Sequence, residues 1–290
     1  MQIFHRISFF LACCLQLAIA SAQTTVPFSL NDQGHILIPA SVNGTKGCFV
    51  FDTGGGLNLL TKKFADKAGG LERTSHFYTG HRATGEALPL DLWRSESLEI
   101  DKFESKAALF TVFDIDFPFD GLISLTSFTE TAVTIDFSNN TFSIETKESL
   151  EQRRQQSDFL LPLQVTNDRG VVVEISTAVE LANRLRLNVR LDSGAGFDSF
   201  RFNSRYMKAL GIDSADVKQE YRSSYFKPEE GNTFYYSEVS KLEAAEGQVQ
   251  LNQLQATFIE GLIYEGIVGI NWIGEVITID IPNQRLLVRN

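Results

Sequence analysis

Two triplets carry the residue types needed for paired-carboxylate chemistry, Asp52-Thr53-Gly54 and Asp192-Ser193-Gly194. Singly, each reads as an ordinary turn in which Asp caps its own backbone and Gly supplies positive φ. Together they allow more. Two carboxylates held about 3 Å apart cannot both ionise cheaply, so they share one proton over a wide pH range. The unprotonated member can take a proton from a water lying between them, and the protonated member can hydrogen-bond a carbonyl oxygen. That is general acid–base hydrolysis needing neither metal nor covalent intermediate. Such a pair titrates as a unit, so neither Asp52 nor Asp192 is assigned the acid role. Gly54 and Gly194 let each loop approach its mate closely. The hydroxyls of Thr53 and Ser193 are placed to hydrogen-bond across from one loop to the other.

An internal repeat is what makes the two triplets partners. Val26-Pro27-Phe28 and the turn Asn31-Asp32-Gln33-Gly34 correspond to Leu161-Pro162-Leu163 and Asn167-Asp168-Arg169-Gly170. Each turn leads into an extended apolar run, then a strand ending in Asp52 or Asp192, then a short amphipathic helix, Thr61 to Gly69 or Asn203 to Gly211. Further on, Thr134-Ile135-Asp136-Phe137 mirrors Thr278-Ile279-Asp280-Ile281. Asp136 follows Asp52 by 84 residues and Asp280 follows Asp192 by 88. Matched landmarks in one order at nearly one spacing indicate a tandem duplication.

The elements around these landmarks are short β-rich runs broken by Gly, Asn and Asp, with few helical stretches. The chain is expected to be mostly β, with one lobe over 24–147, a charged connector over 148–157 and a second lobe over 158–290. Residues 1–22 read as a secretory signal. A short basic stretch (His5, Arg6) precedes an apolar run from Ile7 to Ala20 and a small-x-small cleavage site at Ala20-Ser21-Ala22. A lipoprotein signal at Cys13 is the weaker alternative, because the apolar stretch continues past it. The expected location is therefore secreted or periplasmic, with no membrane span.

Phe51-Asp52-Thr53-Gly54 and Leu191-Asp192-Ser193-Gly194 resemble the active-site loops of the pepsin and retropepsin clan of aspartic peptidases. Phe119-Asp120-Gly121-Leu122-Ile123-Ser124-Leu125 and its counterpart Gly266-Ile267-Val268-Gly269-Ile270 resemble the clan's apolar-apolar-Gly element. The resemblance covers essentially the whole mature chain and is strongest to bacterial retropepsin-like enzymes fused into one chain. It implies a two-lobed pepsin-like fold of two pseudo-symmetric, β-barrel-like lobes. It also implies an endopeptidase with Asp52 and Asp192 as catalytic pair, acting on a peptide or protein without a cofactor. A flap tyrosine is implied as well. Tyr78-Thr79-Gly80-His81-Arg82-Ala83-Thr84-Gly85 is the hairpin candidate, with Tyr78 and Gly80 as the flap residues, against the plainer reading of a surface hairpin. Tyr221 to Tyr236 is either a second flap or a substrate wall.

The sequence departs from that pattern in places. Ser124 stands where the clan has glycine, which is expected to strain or loosen the support behind Asp52. Gly55 and Ala195 replace hydroxyl residues that donate to the carboxylates in pepsins, so the activity optimum is expected nearer neutrality than pepsin's. No long propeptide is evident after Ala22.

Other chemistries find few parts. The net charge of −10 comes without any Lys/Arg cluster, which argues against nucleic acid as a partner. No H-E-x-x-H, CxxC or G-x-S-x-G occurs, so zinc and serine mechanisms lack their residues, and no metal site is expected. Cys48 is expected to be a small buried strand residue rather than a nucleophile. Asp136 and Asp280 are expected to serve turns rather than form a second pair. A chain carrying both halves of the site is expected to work as a monomer. The competing function is a catalytically weak or inactive module that keeps the cleft for peptide binding.

Overall fold

Strict alternation builds the strands. In Ile36–Val42 the residues Ile36, Ile38, Ala40 and Val42 turn inward, and in Leu185–Leu191 it is Leu187, Val189 and Leu191. A period of two puts one face of each strand into a core and the other toward solvent. The computed structural model describes residues 23–224 and 227–290, so the expected signal segment at 1–22 lies outside the described residues.

Three sheets result, and the fold is mostly β and two-lobed. One sheet takes its strands from the first half only. Its centre runs Asn58–Thr61, Gly121–Ile123, Thr45–Phe51, Ile36–Val42. The second takes strands from the second half only, in the order Gln164–Asp168, Val172–Leu181, Leu185–Leu191, Gly266–Val268, Phe200–Asn203, Val249–Ile259, Gly231–Ala244, Lys218–Ser223. The third is six-stranded and joins the halves. Ala132–Asp136 pairs antiparallel with Val276–Asp280, and the flanking strands are supplied symmetrically by the two halves. At its middle Thr134 lies opposite Thr278, with their hydroxyls 2.7 Å apart.

The strand register is the same around the two Asp-bearing strands. Gly121 pairs with both Phe49 and Leu60, and Gly266 pairs with both Val189 and Phe202. Hence Val50 corresponds to Arg190, Leu59 to Arg201, and Asp52 to Asp192. Phenylalanine fills lobe one, where Phe49, Phe51, Phe64, Phe110, Phe128 and Phe142 are fully buried. Phe51, the residue before Asp52, and Phe142 pack at a tilt of 55° with centroids 4.7 Å apart.

The first helix, Lys62–Ala68, begins at Thr61, whose Oγ1 accepts from Phe64 N at 3.2 Å, and ends at Gly69 with φ 64°. Its counterpart is less regular. A 3-10 turn, Ser204–Tyr206, capped by Asn203, runs into a single α turn, Met207–Leu210, before Gly211. The charged connector forms a helix, Lys147–Gln156, with a capping box between Thr146 and Ser149.

Two expectations meet the structure differently. Cys48 is exposed rather than buried, because Phe49 and Phe51 take the inward positions of Thr45–Phe51 and alternation turns Cys48 out. Asp136 and Asp280 are buried at strand ends, where they accept hydrogen bonds from Asn139 and Asn283 respectively. The antiparallel register puts them at opposite ends of their strand pair, with Asp136 facing Val276.

Candidate active site

Each Asp follows the buried end of a strand and is tied to the parallel strand beside it. Asp52 N donates to Ile123 O and Asp192 N to Val268 O, both at 2.9 Å. Symmetric anchoring brings the two loops face to face. A Cβ added at Gly54 would lie 2.6 Å from Asp192 Oδ2, and one added at Gly194 would lie 2.5 Å from Asp52 Oδ1. Real Cβ atoms do not approach so closely, so glycine at both positions is what lets the carboxylates and the opposing backbone meet.

The residues between Asp and Gly lock the loops reciprocally. Thr53 Oγ1 accepts from Ser193 N and Ser193 Oγ accepts from Thr53 N, both at 3.0 Å. Each hydroxyl then donates onward, Thr53 to Leu191 O and Ser193 to Phe51 O, both at 2.7 Å. Both side chains are almost fully buried. Each of these four bonds crosses between lobes, so the separation of the loops is fixed by the backbone of both strands.

The electrostatics follow from this confinement. Asp52 is 8% exposed. Burial first, and then the charge of Asp192, push its carboxyl up to about 8, against the opposing pull of the Gly54 and Gly55 N–H groups. Those two N–H groups donate to Asp52 Oδ1 at 2.9 and 2.8 Å. Asp192 Oδ1 is buried and has no hydrogen-bond partner among the described residues. A buried carboxylate oxygen without a partner is a place for a donor supplied by a water or substrate.

The hairpin of Glu72–His81 and Ala87–Arg94 overlies this site. Tyr78 and Gly80 line the cavity beneath it, about 370 Å³, together with Leu57, Leu59 and Asp192. The absence of a Cβ on Gly80 leaves room for Leu90. Tyr78 is only partly buried, packed beside Leu57 and Val172. The hairpin tip also reaches across the cleft. Ile263 N donates to Ala83 O at 2.9 Å, and Arg82 Nη1 bonds both Glu86 and Ser224. The segment from Tyr221 to Tyr236 contributes a second hairpin, Lys218–Ser223 with Gly231–Ala244.

Ser124 behaves differently from its expected role. Its backbone is extended (φ −96°, ψ 179°), so it carries no strain, and its Oγ caps the 3-10 turn Leu125–Phe128 by accepting from Thr126 N. Ser124 N donates to Asn58 Oδ1 at 2.8 Å. In lobe two the equivalent Gly269 has no such room. A Cβ there would lie 2.7 Å from Gly196 O. Glycine is thus required in one lobe and replaced by a capping residue in the other.

Some residues at the site were not singled out by sequence. Arg190, 7% exposed, pairs with Glu174 at 2.6 Å and stacks on Tyr264 at 4.4 Å inside the cleft. His35 lies near Asp192, its imidazole pKa lowered chiefly by burial. Arg201 lines a separate cavity on the lobe-two side. A signal for both arginines was present: each interrupts an apolar strand, Val189-Arg190-Leu191 and Phe200-Arg201-Phe202, where the other lobe has Val50 and Leu59.

Residues 38–126 match the family described as aspartyl protease. The matched stretch contains Asp52-Thr53-Gly54 and ends just past Ser124, and it supports the aspartic peptidase clan. A search of curated proteins gives no match.

Proposed function

We propose that this protein is an aspartic endopeptidase in which Asp52 and Asp192 together activate a water against a peptide carbonyl. The observation that carries the reading is the pair of reciprocal Thr53–Ser193 bonds holding the Asp52 and Asp192 loops face to face. With one proton on the pair, the carboxylate takes a proton from water as the water oxygen bonds to the carbonyl carbon. The carboxyl group protonates the carbonyl oxygen, giving a neutral tetrahedral diol. The carboxyl group then gives its proton to the amide nitrogen while the carboxylate takes one from a diol hydroxyl, the C–N bond breaks to leave acid and amine, and the pair ends with one proton again. Removing residues 1–22 as a signal would deliver the enzyme outside the cytoplasm. Among the described residues no helix is long and apolar enough to cross a membrane.

The test is cleavage of a mixed peptide library between acid and neutral pH by the protein and by Asp52→Asn. Activity lost by at least about 10²-fold in the variant supports the reading. Peptide binding with no cleavage at any pH rejects it in favour of a peptide-binding module.

A further inference from the structure

Two cavities lined from both lobes flank the carboxyl pair, a lobe-one pocket holding Leu59 and a lobe-two pocket holding Arg201 at the corresponding register position, and their chemistry differs. On lobe one, Leu59 sits opposite Leu122 and Thr111 in the sheet and lines the cavity under the hairpin. On lobe two, the residue opposite Ile267 and Thr257 is Arg201, which lines a cavity of about 520 Å³. The lobe-one pocket is walled by Leu57, Leu59, Leu88, Leu90, Leu122 and Phe113, and beside Asp192 and Arg82 its charges are Glu174 and Arg190, ion-paired with each other at 2.6 Å. The lobe-two pocket begins at Ala195, immediately after the Asp192 triplet, and carries three guanidinium groups, Arg82, Arg201 and Arg222.

The partners of these groups single out Arg201. Arg82 is ion-paired with Glu86 at 3.2 Å, and Arg222 with Glu220 at 3.0 Å. Asp198, the carboxylate lining this pocket, accepts from Asn271 Nδ2 at 3.1 Å. Among the described residues, no carboxylate lies within ion-pairing distance of Arg201. Phe200 and Phe202, on either side of it along the strand, are buried, so the guanidinium is carried on a rigid element rather than a loose surface chain. A partly buried guanidinium is a fork-shaped donor for a planar carboxylate, and a leucine at the same place is not.

We infer that the lobe-two pocket binds a substrate carboxylate through Arg201, while the lobe-one pocket takes an apolar side chain. Resting on the assignment of Asp52 and Asp192 as the hydrolytic pair, this makes the substrate class a peptide with an apolar residue on one side of the scissile bond and an acidic residue on the other.

The test uses internally quenched, C-terminally amidated peptides with leucine on one side of the bond and Glu, Gln, Leu or Lys on the other, in both orders. A fifth peptide has glutamine there and ends in a free carboxylate two residues beyond. The protein is expected to favour Glu over Gln by about tenfold in kcat/KM in one order. Arg201→Leu loses that preference and cleaves the leucine peptide about tenfold faster than wild type, which also shows that it is folded. Arg201→Glu favours Lys. An Arg201-dependent preference for the fifth peptide supports the carboxylate site and assigns it to a chain terminus instead. A binding arm measures anisotropy of labelled Glu and Gln peptides on Asp52→Asn. Arg201-dependent tighter binding of the Glu peptide, with no cleavage by wild type, keeps the carboxylate site and rejects the peptidase. Equal handling of Glu and Gln by both wild type and Asp52→Asn overturns the inference.

Discussion

Thr53 and Ser193, 140 residues apart in sequence, each accept the other's backbone N–H at 3.0 Å and donate to the strand beneath the opposite loop. Removing one hydroxyl orphans a buried N–H in the other lobe. Ser193→Ala and Thr53→Val are each expected to lower stability by about 1–3 kcal/mol. The double variant should cost less than the sum of the two, because the bonds share their loops. Urea denaturation of the four proteins measures this, and additive losses would contradict a reciprocal lock.

The raised proton affinity of Asp52 has a definite sign in stability. Its carboxyl has an ordinary value of 3.8 in the unfolded chain and about 8 in the folded one. Between those limits the folded protein holds a proton that the unfolded chain has released. Stability from this group therefore falls as pH rises from about 4 to about 8 and is level above. Asp52→Asn removes the penalty. Its melting temperature is expected to match wild type near about pH 4 and to exceed it at about pH 8, each kcal/mol gained being worth roughly 2–4 °C. A constant difference across that range would show that Asp52 does not titrate there.

Activity depends on the same proton. The proposed hydrolysis requires one proton on the pair, so the rate should fall as pH rises through about 8. Gly55 reaches Asp52 only through its backbone N–H, and Ala195 has no side-chain donor to offer Asp192, so the anions lack the hydroxyl support found in pepsins. The rate profile is expected to keep substantial activity at about pH 6–7. A maximum below about pH 3 would refute this.

Ser124 and Gly269 occupy equivalent places with opposite requirements. Ser124→Ala loses an N-cap and is expected to cost about 1 kcal/mol with kcat nearly unchanged. Gly269→Ala drives a Cβ toward Gly196 O, two residues past Gly194, and should cost more in both stability and kcat. Equal effects in thermal melts and turnover would show that the lobes do not differ here.

The tip of the lobe-one hairpin is held across the cleft by Glu86, Arg82 and Ser224. Glu86→Gln weakens that tie, and peptide KM is expected to change by several-fold while kcat moves less. Steady-state kinetics on one peptide decides it.

The β-rich strands leading into Asp52 and Asp192 and the helix caps at Thr61, Gly69, Asn203 and Gly211 were readable from the residues alone. These are legible because alternation, capping and turn chemistry act between near neighbours. The flap hairpin was legible as a Gly-punctuated turn, but its docking onto Ile263 and Ser224 was not. Cys48 was misread because a strand inside a sheet can still present one face to solvent, and only packing decides which. Ser124 was misread because strain depends on the space around Cβ, which Asn58 and Thr126 set from elsewhere. The meaning of Arg190 and Arg201 was likewise decided only in three dimensions. Both interrupt apolar strands, yet one is neutralised by Glu174 and the other faces a cavity with no ion-pair partner among the described residues, because distant strands pack against the two differently.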